Sequence, residues 1–211
     1  MEPLYDGGVS LEERALAGLW PWEPITPRDV AEVLSGLPAR WWIAGGSAIE
    51  LFLGRATRRR YDLDLAILRR DQLALRRHLA DWDLHLATPE RRLYPWDGRF
   101  LELPVARFWV RRKPGTPWWL DGRLEEARGE QWFYRLDERI SLPLSEFGRS
   151  TDEGIPFLAP EVALFYMLIS PTPKAKADFL ATHTQLAPAS RAWLKQALAL
   201  CRPGYPLLPL L

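Results

Sequence analysis

The stretch IAGGSAIELFLGRATRRRYDLDLA, Ile43 to Ala66, constrains this chain more than any other. Trp41-Trp42-Ile43-Ala44 reads as a short buried strand. Gly45-Gly46 follows, and Ser47–Leu53 then reads as a helix that Gly54 ends. Glycines let the backbone turn sharply and let a phosphate approach closely. The following helix start would turn free N–H groups and a partial positive charge towards that phosphate, and Ser47 adds a hydroxyl. A basic loop, Arg55–Arg60, leads into a second strand expected over Tyr61–Leu68. Asp62 and Asp64 stand two apart on that strand, so both leave the same face. Paired carboxylates repel unless a cation bridges them. Hard oxygen donors of this kind suit Mg²⁺, which takes one or two carboxylates and completes its shell with water and substrate phosphates. A lone Gly-Gly is more often a plain turn, and a lone Asp-Leu-Asp a solvated acidic strand. Their order here puts metal ligands beside a phosphate cradle.

Other segments fill in a mixed pattern. Thr26 and Pro27 cap a helix expected to run to about Leu37. Leu11–Leu19 reads as a short helix and Arg70–Ala80 as an amphipathic one. Strands are expected at Asp83–Ala87, Pro104–Arg112, Thr116–Glu125 and Gln131–Arg135, with a turn at Lys113-Pro114-Gly115 and an irregular run over Pro89–Leu101. From Ala159 the texture becomes helical, with Ala159–Ile169, Lys174–Thr182 and Pro188–Leu200 separated by prolines. The expected architecture is α/β (α+β), a mixed sheet flanked by helices over residues 1–150 and a helical lobe over 151–211.

Composition narrows the partners. The 211 residues are 47% apolar, enough for a packed core, and the formal net charge is +1. No global field draws in nucleic acid or anionic lipid, which argues against an RNA substrate. One cysteine, Cys201, permits no internal disulfide and fits a reducing, cytoplasmic setting. Met1–Ser10 has no apolar core of a signal peptide, and no apolar run approaches the ~20 residues of a membrane helix. His78, His85 and His183 show no metal-ligand spacing, and Cys201 has no base beside it. Trp118 and Trp119 are expected to serve strand packing ahead of stacking on a ligand.

Ala44-Gly45-Gly46 and Asp62-Leu63-Asp64 together resemble the nucleotidyltransferase superfamily of polymerase-β type. GGSAIELFLGRATRRRYDLDL is similar to the aminoglycoside and lincosamide nucleotidyltransferases, with Thr57-Arg58 matching. Ser47 stands where those have Trp, and Arg60 where they have His. The likeness continues through Asp121 in WWLDGRLEEARGEQWFYR, through Pro156–Glu161, and through Lys174 and Asp178 in PKAKADF, where Ala175 replaces an Asp.

The resemblance implies that Asp62 and Asp64 bind a pair of Mg²⁺ ions. It implies Asp121 as third metal ligand or as general base, although a turn residue ahead of Gly122 reads as well. Glu125 and Glu126 are fallbacks at what looks like a solvated strand end. Gly45, Gly46, Ser47, Arg58, Arg60 and Lys174 are the implied nucleotide contacts. Lys174 can equally be a plain helix-start residue, Arg59 reads as solvated, and Asp178 would tie the helical part to the basic loop. The implied reaction moves a nucleoside monophosphate, AMP from ATP, to a hydroxyl of a small antibiotic-like acceptor, and a homodimer stays open. The alternatives are a nucleotidyltransferase modifying a protein or a tRNA end, or an inactive nucleotide-binding or interaction protein.

Overall fold

The structure is a computed structural model and describes residues 22, 23, 25–58, 60, 62–89 and 92–211. The helix expected over Leu11–Leu19 lies outside these residues. Helix α1 (Pro27–Val33) opens on a capping box. The Thr26 N–H donates to Asp29 Oδ2 at 2.7 Å, and Thr26 Oγ1 accepts the Asp29 N–H at 3.2 Å. The helix stops before the expected Leu37 because the chain turns at Gly36, whose φ is +76°. Strand β1 (Trp41–Ile43) runs directly into α2 (Gly45–Leu53). Gly54, in the left-handed conformation, ends α2 as expected.

Strand β2 (Asp64–Leu68) starts three residues later than the sequence pattern indicates. Its Leu65–Leu68 are all buried, as befits a strand covered on both faces. A 3-10 turn at Arg69–Asp71 takes the first residues assigned to the next helix, so α3 spans only Gln72–His78. Next come β3 (Asp83–Ala87), β4 (Leu93–Pro95) inside the run expected to be irregular, β5 (Arg107–Arg111) and β6 (Trp118–Arg128). After β6 follow β7 (Gln131–Tyr134), β8 (Asp137–Pro143), α4 (Leu144–Phe147), β9 (Gly148–Ser150) and β10 (Pro156–Leu158). The last four of these have no counterpart in the sequence pattern. Helices α5 (Pro160–Ile169), α6 (Pro173–Thr182) and α7 (Pro188–Cys201) match the three expected ones to within a residue at most ends.

The described residues form two compact units, one within Met1–Trp41 and Tyr61–Glu126, the other within Trp42–Arg60 and Ala127–Leu211. In the first, the sheet order is β4-β3-β5-β6-β2. Strand β2 lies parallel to β6, and the other pairs are antiparallel, so the sheet is mixed as expected. Trp22, Trp109, Trp118 and Leu93 cluster in its core. Arg69 is buried there, donating from Nη1 to the carbonyls of Leu101 and Val105 at 2.7 and 2.8 Å and from Nε to Glu126 at 2.6 Å.

In the second unit β1 pairs parallel with β10, and β10 antiparallel with β9. Strands β7 and β8 form a hairpin. The helices that follow residue 150 pack in the same unit as α2, with α5 touching α2, α6 and α7. Helix α5 is apolar almost all round and is buried accordingly. Trp132 stacks on Phe147 at 4.8 Å between ring centres, and Phe165 meets Tyr134 and Trp193. Among the described residues no helix is long and apolar enough to cross a membrane.

Candidate active site

The acidic residues gather in the first unit. The parallel register of β2 and β6 sets Asp64 directly opposite Asp121. Partners in a ladder project from the same face, so the two carboxylates leave the sheet side by side. Asp62 lies two residues ahead of β2, exposed and outside the ladder, and its charge still acts on Asp121 and Arg107. The Asp121 N–H donates to the Leu63 carbonyl at 3.0 Å. Asp121 therefore sits well inside a buried strand, which removes the turn reading. Gly122 has a packing role: a Cβ there would lie 2.1 Å from the Phe108 ring. The fallback acids are placed otherwise than expected. Glu125 is buried, not solvated, and Glu126 is held by Arg69.

Arg107, on β5, grips Asp121 through a fork. Its Nε donates to Oδ1 at 3.1 Å and its Nη2 donates to Oδ2. Burial pushes the Asp121 carboxyl up to about 6; Arg107 opposes this, and the negative charges at Asp64 and then Asp62 add to it. Among the described residues, no three His, Cys, Asp or Glu side chains stand together as a ready metal cluster. The donor set nevertheless suits Mg²⁺, which needs only one or two protein carboxylates, and the facing pair Asp64 and Asp121 supplies two.

The glycine turn and the basic loop belong to the second unit. Gly45 opens α2 with φ +57°, a conformation that favours glycine. At Gly46 a Cβ would fall 1.6 Å from Arg60 Nη1, so the guanidinium lies across the glycine. Glu50 organises the loop. Its Oε1 accepts the Thr57 N–H at 2.7 Å and the Thr57 hydroxyl at 3.0 Å, and its Oε2 pairs with Arg60 Nε at 2.9 Å. Burial would raise the Glu50 carboxyl, but the bonds from Arg60 and Thr57 outweigh it and hold it below the usual range. Asp178, on α6 and almost wholly buried, receives Arg58 Nη2 at 3.4 Å and Arg60 Nη2 at 3.6 Å. Ser47 is buried in the first turn of α2, and Lys174 is exposed in the first turn of α6. Arg59 lies outside the described residues.

Sequence reasoning missed Arg107 and Glu50. Trp118 and Trp119 are buried in strand packing. His85 bonds Asp83 at 3.1 Å and packs on Trp118. The Cys201 thiol is half-buried and raised by that burial, the opposite of an activated nucleophile.

A family model described as aminoglycoside-2''-adenylyltransferase matches residues 28–93, a span holding the glycine turn, Asp62 and Asp64. No curated protein matches the chain. Among solved structures, the solution structure of the antibiotic-resistance factor ANT(2'')-Ia is similar with a TM-score of 0.55 and 17% identity, covering 86% of this chain and 92% of that one. A crystal structure of ANT(2'')-Ia in complex with adenylyl-2''-tobramycin gives 0.53 and 16%, covering 82% and 95%. The lincosamide antibiotic adenylyltransferase LnuA, with lincomycin bound, is a looser match at 0.46 and 12%, covering 82% and 94%. Over residues 28–93 the chain is similar to the aminoglycoside-2''-adenylyltransferase family, and its fold is similar to that of ANT(2'')-Ia.

Proposed function

We propose that this chain transfers a nucleoside monophosphate, AMP from ATP, to a hydroxyl of a small antibiotic-like acceptor and releases pyrophosphate. The observation that carries the reading is the register of β2 against β6, which sets Asp64 and Asp121 side by side within the fold of adenylyltransferases. Asp64 and Asp121, with Asp62 just ahead of the strand, would hold Mg²⁺. Bound there, the ion would neutralise charge on the triphosphate and on the departing pyrophosphate.

The remaining work falls to side chains. Asp121 would serve either as a ligand of that ion or as the general base that takes a proton from the acceptor hydroxyl. Gly45, Gly46, Ser47, Arg58, Arg60 and Lys174 are the nucleotide-binding residues that the resemblance implies. The backbone at Gly45 and Gly46 would offer N–H groups to phosphate oxygens, and Arg58 and Lys174 would offer charge. Arg58 and Arg60 both pair with Asp178, and Arg60 with Glu50 too, so the same contacts hold the loop in shape. The acceptor class follows the named relatives, since fold alone does not fix a substrate.

The test is a screen of nucleoside triphosphates with Mg²⁺ and a panel of aminoglycosides, lincosamides and other hydroxylated molecules, following pyrophosphate. ATP with one such acceptor should release it, and Asp64→Asn should abolish the release while leaving the circular dichroism spectrum unchanged. Label from ATP appearing on protein or RNA instead would replace the small-molecule acceptor. Undiminished turnover in Asp64→Asn would remove the metal-ligand assignment.

A further inference from the structure

Asp121 and Arg107 are unequal partners. The Asp121 side chain is 8% exposed, that of Arg107 47%. The acid is fixed in the sheet, while almost half of the arginine side chain meets solvent. Strand register produces the contact. Arg107 pairs with Arg123, and Trp109 pairs with Asp121, so Arg107 stands diagonal to Asp121 on the shared face. From there the guanidinium also acts on the charges of Asp64 and Asp62. Both oxygens of Asp121 are engaged by its fork. A forked arginine–carboxylate pair is strong and geometrically exacting. It neutralises the same acids that a divalent cation would neutralise, and it uses the same oxygens.

We propose that Arg107 is a displaceable counter-ion, which occupies Asp121 while no divalent cation is held there and swings out to solvent when one binds. The proposal rests on the metal-binding reading above and adds a competitor that sets how tightly the cation is held. Arg107 keeps the acids from repelling one another in the empty protein. Once displaced, its long stem and five donors are free for an anionic oxygen nearby. A triphosphate would thus draw Arg107 off Asp121 and help the cation in, which couples the two ligands.

The test counts Mn²⁺ binding to the nucleotide-free, full-length protein at pH 8, with free Mn²⁺ followed by electron paramagnetic resonance. Arg107→Gln removes a positive charge from the immediate neighbourhood of the cation and should tighten binding at least about tenfold. In an Asp121→Asn background the same change should gain less than about threefold. Arg107→Lys keeps the charge but loses the fork; it should shift binding the same way by less, and it serves if the glutamine variant fails to fold. Equal or weaker Mn²⁺ binding in Arg107→Gln overturns the proposal. So does an undiminished gain in the Asp121→Asn background, because the effect would then not pass through Asp121. A different failure, in which neither parent nor variant binds Mn²⁺ in a way that Asp64→Asn abolishes, would remove the metal-binding reading itself.

Discussion

In metal-free solution the buried carboxylate of Asp121 should be a liability, and Asp121→Asn should relieve it in a pH-dependent way. Folded Asp121 keeps its proton up to about pH 6, whereas the unfolded chain releases it near 3.8. Between those values the folded state carries more protons. The stability contributed by the protonated acid is therefore complete below about 3.8 and is lost as pH rises through about 6. A shift of about two units at ~1.4 kcal/mol each makes the whole loss about 3 kcal/mol. Linkage puts about 2 kcal/mol of that between pH 4.5 and pH 8. Asparagine resembles the protonated acid in shape and cannot ionise. Its stability relative to the parent should therefore climb by about 2 kcal/mol across that range, whatever constant offset the altered bond to Arg107 introduces. Urea titrations in chelator at several pH values, read by tryptophan fluorescence, would measure this. A gap that stays flat from pH 4.5 to 8, or narrows as pH rises, would refute the reasoning.

Two further changes probe the loop of the second unit. Gly46→Ala gains up to about 1 kcal/mol of helix propensity. It also drives the Arg60 guanidinium off its charged partners, at about 2–3 kcal/mol. A net loss of about 1–2 kcal/mol in a urea titration is expected, and a stabilised variant would mean that Arg60 moves aside without cost. Asp178→Ala leaves Arg58 and Arg60 without their shared buried acceptor and should cost about 3 kcal/mol. A thermal melt within a degree of the parent would show that the cluster contributes nothing.

The glycine turn was legible because its signals are local. An apolar strand, two glycines, an apolar helix and a closing Gly54 each state their own conformation. Asp64 was legible for the same reason, but the start of its strand was not. Where a ladder begins depends on the partner, and the alternation of YDLDLAIL carries no mark at Asp64. Strands β4, β9 and β10 have three residues each, too few for a two-residue period to emerge. Arg107 was hidden by an irregularity. The turn around Gly115 points to a hairpin, yet the register shifts between Val110 and Arg111. Counting back from the turn without that bulge sets Asp121 opposite Phe108 and turns Arg107 away from it. Glu50 was hidden because its partners Thr57 and Arg60 come from a loop whose path no local pattern fixes. The tryptophans were ambiguous too, since bulk alone does not separate a core residue from a binding platform.

The phenyl ring that fills the empty side of Gly122 makes the strand under Asp121 hard to rewrite. Phe108 is fully buried and cannot back away, so a larger residue at 122 would be admitted only by a smaller one at 108. The two positions form a lock with one shared key. A chain that drifted at either alone would disturb the strand bearing its third acid, while the carboxylate itself remained unchanged in sequence.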